Sequence, residues 1–195
     1  MTIPTIRAKI TERRTVTQLR ATQSILAQAL RSLEEKYGTA EGWGLTDYDE
    51  AGAIKIADNL KTVMKIALDC GVDDNNGHCA PNETYKFLNG RNNVNFATER
   101  RMYKIVLLNG TSLYIRSAFD GSGSVAVFYV DTNGKAKPNT WGRDLFQFIL
   151  REDGLTPSGH PLKSSTTTAQ SCNKSGTGFG CSYYVLHHGN MNYLH

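Results

Sequence analysis

Residues 4–37, PTIRAKITERRTVTQLRATQSILAQALRSLEEKY, form the longest unbroken helical pattern in the chain, and any fold must accommodate them. Pro4 suits a first helical turn, where its missing N–H costs nothing. Ile6, Ile10, Leu19, Leu26, Leu30, Leu33 and Tyr37 recur at steps of three, four and seven, and Gly38 can end the helix. The apolar stripe is thin. It breaks at Arg13 and Arg14, and polar Thr22 and Gln23 fall on the same face. The pattern predicts a helix whose last half packs on the domain while its first third extends beyond it. Such a helix needs a partner or a membrane to cover its free end.

The rest of the 195 residues shows no internal repeat and no Pro/Ser-rich linker, so 1–195 is expected to be one domain. A second helix is predicted from about Asp47 to Asp69. Thr46 and Asp49 give a capping-box pattern, Ile54, Ala57, Leu60, Met64, Ala67 and Leu68 make the stripe, and Cys70-Gly71 ends it. Segment 71–93, GVDDNNGHCAPNETYKFLNGRNN, reads as a loop held near the surface by its polarity. From Tyr103 the period shortens to that of strands. YKIVLL and TSLYIRS flank Asn109-Gly110, a favoured hairpin dipeptide; runs 124–130 and 145–151 follow, and 183–186 can add a short last strand. Helices first and a strand meander afterwards indicate an α+β fold, a long N-terminal helix packed on an antiparallel sheet. The expected parts are a helical stalk (1–38), a helix with connecting loop (39–102), and sheet plus C-terminal loop (103–195).

Net charge is +4, and its distribution is uneven. Residues 1–38 carry seven Lys/Arg against three Glu, while the remainder carries fifteen of each. No aromatic residues interleave with these basics as a single-strand binder needs, so nucleic acid is not an expected partner. Cys70 with Cys79 and Cys172 with Cys181 form two close pairs in Gly/Asn/Ser-rich sequence that can bend back on itself. Zinc knuckles need shorter spacing or interposed His, so two local disulfides and a compartment outside the cytosol are expected. No run of about twenty apolar residues occurs.

Segment 131–144, DTNGKAKPNTWGRD, opens like a calcium loop. An EF-hand register fails, because Ala136 stands where the turn glycine belongs, Lys135 and Lys137 fall at ligand positions, and no terminal Glu follows. Asp131, Asn133, Asn139 and Asp144 remain a looser candidate calcium set. The competing reading makes Asn133-Gly134 a turn, with Pro138 stiffening the return and Asp131 and Asp144 bracing the loop by accepting backbone hydrogens. Trp141 is expected at the sheet edge or core margin. His187 and His188 with His195, His78 or His160 are a weaker transition-metal set, since neighbours on a strand face opposite ways. No catalytic residues are nominated: there is no G-x-S-x-G elbow, no Ser-His-Asp spacing and no free thiol, and Thr177-Gly178-Phe179-Gly180 lacks the lysine of a phosphate loop. Tyr183, Tyr184, Tyr193 and Trp141 could instead form one aromatic surface for a sugar or peptide.

IPTIRAKITERRTVTQLRATQSILAQALRSLEEKYG resembles the periplasmic half of the first helix of type IV pilins and type II secretion pseudopilins. D-x-N-G, P-N, W-G-x-D-x-F and the ending GCSYYVLHHGNMNYLH are similar to the sheet and C-terminal loop of prepilin-type proteins. The resemblance covers nearly the whole chain through the order of these pieces. It implies a ladle-like fold with a C-terminal loop pinned by Cys172–Cys181. It also implies a non-enzymatic filament subunit in the periplasm or outside a bacterial cell, with other pilin or pseudopilin subunits and the inner membrane as partners. The family's leader, processing site, fifth-position Glu and apolar helix are not present here, and the resemblance implies a hydrophobic stretch directly before Ile3. The alternative function is a secreted or filament-tip adhesin domain.

Overall fold

The structure is a computed structural model that describes residues 3–46, 48–74, 76–118, 123–163 and 167–195. Helix α1 runs Ile3–Tyr37 without interruption. Val16, Leu19, Leu26, Ala29, Leu30 and Leu33 are buried against the sheet and the second helix, each Leu contributing roughly 1.5–3 kcal/mol of gross burial. Residues 6–14 are exposed apart from half-buried Glu12, with Ile6 at 44% and Ile10 at 47%. The division of the helix expected from its stripe is therefore present, and its boundary falls at Thr15. Thr22 belongs to the packed part. Fully buried, it lies 3.1 Å from Thr111 Oγ1 and accepts from Asn109 Nδ2 at 3.2 Å, while Gln18 Nε2 donates to Thr111 Oγ1 at 2.9 Å. The polar residues on the apolar face thus dock the tip of a hairpin.

Helix α2, Glu50–Lys61, is shorter than the predicted 47–69. Its N-cap is Asp49, whose carboxylate accepts from Gly52 N at 2.7 Å and from Thr46 Oγ1 at 2.6 Å. Beyond Thr62 the chain turns and enters strand β1, Ile66–Gly71. Ala67 and Leu68 continue the helical period by coincidence. Ile66, Leu68, Asp69 and Gly71 pair with β2, with register shifts at Ala67 and Cys70, and a weak local helical preference gives way to that pairing.

Six strands form one sheet in sequence order, every neighbour antiparallel: β1, β2 (Tyr103–Leu107), β3 (Ser112–Ser117), β4 (Ser124–Asp131), β5 (Leu145–Arg151) and β6 (Gly154–Pro157). Asn109-Gly110 does lie in the β2–β3 turn, but the loop is longer than a two-residue turn: Gly110, at φ 83°, donates its N–H to Leu107 O, and Leu107 N–H reaches Thr111 O. Register places Ile105, Leu113, Val130 and Phe146 in one row across the sheet, and Ile115, Phe128 and Phe148 in the next, all facing α1. Residues 183–186 are not a strand. They lie in helix α4, Cys181–His188, which follows the one-turn helix α3, Thr168–Ser171, and stops at Gly189 in the left-handed region.

The other face of the sheet is covered too. Segment 72–102, with little regular structure, lays Tyr85 and Phe96 at 0% exposure over Tyr114 and Tyr129. Phe96 stacks on Tyr114 at 4.7 Å and meets Tyr85 edge-on at 5.0 Å. The polarity of 71–93 pointed to a surface loop. Its polar groups instead satisfy one another: Asp74 accepts from the backbone of His78, Cys79 and Ala80 at 2.7–2.8 Å, and Tyr85 and Asn93 exchange bonds with Val94 and Tyr85. The disulfide Cys70–Cys79 ties this cover to β1.

Candidate functional site

The loop 131–144 closes β4 onto β5 at the edge where the 72–102 segment crosses. Asp131 and Leu145 are paired across the two strands, so the loop leaves and returns to adjacent positions. Lys137-Pro138 is cis, and Asn139 takes φ 51°, a left-handed turn that Asn tolerates. This geometry folds Asp131, Asn139 and Asp144 inward to 0–2% exposure and leaves Asn133 outside.

The two buried carboxylates are already spoken for. Asp144 Oδ1 accepts from Thr140 N and Oδ2 from Asn139 N, both at 2.7 Å. Asn133 turns its Nδ2, not its oxygen, toward Asp144 Oδ2 at 3.4 Å and Lys137 O at 3.3 Å. Asp131 Oδ1 accepts from Asn133 N at 3.2 Å, and Oδ2 accepts from Tyr85 Oη, which lies 3.0 Å from Tyr114 Oη. Asn139 Nδ2 donates to Glu83, and its Oδ1 is buried without a partner. Burial pushes the Asp144 carboxyl up to about 6. Burial, and then the charge of Asp144, push Asp131 well above the usual carboxylate range. The loop buries three of the four candidate ligands, but the two carboxylates are acceptors of N–H and O–H donors and the Asn139 amide is itself a donor. One orphaned oxygen, Asn139 Oδ1, is the single feature that fits a cation. A calcium ion here would have to displace the hydrogen bonds that hold the loop's shape.

The disulfides Cys70–Cys79 and Cys172–Cys181 are both present. Among the described residues, one group of three metal-ligating types lies close together, Cys70, Asp74 and Cys79, and its sulfurs are bonded to each other. His187 and His188 lie on helix α4 rather than on a strand, with ring centres 4.8 Å apart, so the alternation expected to separate them does not apply; among the described residues they still join no group of three metal-ligating side chains. His187 stacks on Tyr183, His188 packs on Tyr184, His195 reaches Glu12 Oε1 at 2.9 Å, and His160 meets Tyr183 edge-on. His78 lies in the 72–102 cover. The four aromatic residues nominated as one binding surface are also divided. Trp141, at 2% exposure, joins the cluster on the outer face of the sheet, whereas Tyr184 and Tyr193 pack on the α1 side. Trp141 is held there by its Nε1–H to Asn93 Oδ1 at 2.9 Å and its N–H to Lys86 O at 2.9 Å.

Sequence reasoning missed the role of Tyr85, which caps Asp131, and of Arg116, whose side chain rises from β3 on the outer face. Arg116 alternates in phase with Tyr114, and that period was legible in TSLYIRS; what was not legible is that something covers this face.

Compared with known proteins, the chain matches no family model, no curated protein and no solved structure. No helix of the described residues is long and apolar enough to cross a membrane.

Proposed function

We propose that the chain is the head and lower stalk of a prepilin-type filament subunit, a pilin or pseudopilin, whose work is assembly rather than chemistry. The observation that carries this reading is the division of α1. A rod of 35 residues packs on the domain from Thr15 onward and leaves Ile6 and Ile10, one turn apart, exposed at 44% and 47%. An exposed apolar pair on a rigid arm is costly unless another surface covers it, and a second subunit's stalk supplies such a surface. The two disulfides fit an oxidising compartment, as an extracellular or periplasmic filament requires.

Ile10→Cys, expressed in the native cells and treated with bismaleimide linkers on intact cells, tests this directly. The expected result is a covalent ladder of dimers and higher multiples. Monomer alone at every linker length, from protein that leaves the cell unassembled, would overturn it.

A further inference from the structure

The outer face of the sheet is covered incompletely. Between the 72–102 segment and the strands lies an open cavity of about 360 Å³, at the small-molecule end of the range for ligand pockets. Tyr129, Trp141 and Ile149 give it an apolar floor, and Gln147 and Ser158 give it polar walls. Arg116 stands at its side with its guanidinium carbon 4.5 Å from the centre of the Tyr48 ring. Arg101 covers the same ring at 4.1 Å but is paired with Glu99 at 2.7 Å. Among the described residues, no carboxylate lies within ion-pairing distance of Arg116, and its Nε is buried without a hydrogen-bond partner. Gln147 lines the cavity from β5, where its backbone N–H donates to Ser182 Oγ and its C=O accepts from Ser158 N.

A buried guanidinium nitrogen without an acceptor is costly, and a planar fork of donors beside an apolar floor matches one ligand chemistry closely. We propose that this cavity binds a small hydroxylated carboxylic acid, of the uronic-acid type. Arg116 takes the carboxylate through charge-assisted bonds, Gln147 and Ser158 take hydroxyls, and the C–H face of the ring rests on the half-buried Ile149 and Phe179. Tyr48 holds the guanidinium in place before the ligand arrives, so less freedom is lost on binding. The proposal stands apart from the filament reading, since it uses none of the residues of α1.

Titration of the full chain with galacturonate, galactose and phenylacetate, followed by amide and side-chain NH resonances, tests it. Galacturonate is expected to shift the Arg116 Nε–H, the Gln147 amide and the Trp141 indole N–H, with galactose at least tenfold weaker. Arg116→Gln is expected to weaken galacturonate by about tenfold or more while leaving the melting temperature and the Trp141 resonance in place. Gln147→Ala, on a rim position, supplies a second test with an expected loss of a few fold. Equal binding of galactose and galacturonate would remove Arg116 as the anchor. Binding of phenylacetate but not galacturonate would remove the hydroxylated ligand, and no shift with any of the three at millimolar concentration would remove the site.

Discussion

The face of the sheet toward α1 and the face toward the 72–102 segment are both buried, but with opposite kinds of residue. The α1 side is aliphatic and phenylalanine-rich, with rows such as Ile105–Leu113–Val130–Phe146. The outer side carries Lys104, Tyr114, Arg116, Tyr129, Asp131 and Gln147, interleaved with a few apolar residues. Regular helices, α1 with α2 and α4, cover the first with apolar side chains and a few hydrogen bonds at the hairpin tip. An irregular segment covers the second by meeting each polar group individually, as when Lys104 Nζ donates to Val72 O and Glu99 O at 2.7 and 2.6 Å. Burial holds that ammonium down to about 8. The lesson is that an irregular cover can be as much a core as a helix, provided its polar groups are paired.

If that is right, Phe96→Ala should cost about 3–5 kcal/mol by chemical denaturation, as much as Leu26→Ala at about 2–5 on the α1 side. A loss under about 1 kcal/mol for Phe96 alone would mark the cover as a loosely attached loop and break the comparison. Replacing Cys70 and Cys79 together by Ser should lower stability by about 2–3 kcal/mol, and hydrogen exchange should place the loosening in the outer cover and not in α1.

The buried carboxylates sharpen the comparison through pH. Asp144 is raised in the folded state to about 6 from its ordinary 3.8, and Asp131 is raised in the same direction. The fold favours their neutral forms, so the stability that Asp144 contributes is complete below about pH 4 and is lost as pH rises through about 6, and Asp131 acts in the same direction. For Asp144 the effect is on the order of 3 kcal/mol. Urea unfolding at pH 4, 5, 6 and 7 should show that decline superimposed on the other titrations, and Asp144→Asn should flatten it. Because the carboxylate oxygens are occupied by N–H and O–H donors, millimolar calcium at pH 7.5 should leave the melting temperature unchanged; a rise of several degrees would show that the ion displaces them. Smallest of all, Ile10→Ala on the exposed arm should change stability by less than about 0.5 kcal/mol, in contrast to Leu26→Ala one face away.

The α1 side was legible because its elements are periodic. Leu19, Leu26, Leu30 and Leu33 announce a helix face, and alternating strands from Tyr103 onward announce the surface it packs on. The errors came where tertiary pairing overrode a short pattern. Ala67 and Leu68 fit a helix but lie in β1, where Leu68 pairs with Val106, and Tyr183-Tyr184-Val185-Leu186 has strand composition but coils as α4, with Cys181 and Val185 buried four apart and Gly189 as its stop. The Cys181-x₃-Val185 spacing and Gly189 were the signals that could have found it. The outer cover had no period to read. Tyr85 and Phe96 look like isolated aromatics in polar sequence until the strands place Tyr114 and Tyr129 beneath them. Of the candidate site, the bracing of the 131–144 loop by Asp144 was visible from its spacing, whereas the Tyr85 contact to Asp131, 46 positions away, was not.

The most direct test is amide hydrogen exchange of the bonds that hold the cover, Tyr85 N to Val94 O, Asn93 N to Tyr85 O and Trp141 N to Lys86 O. A sheet with two buried faces predicts that these amides exchange as slowly as those of β3 and β4, by the same global opening. Exchange within seconds at Tyr85, Asn93 and Trp141, beside slow exchange in the strands, would contradict it.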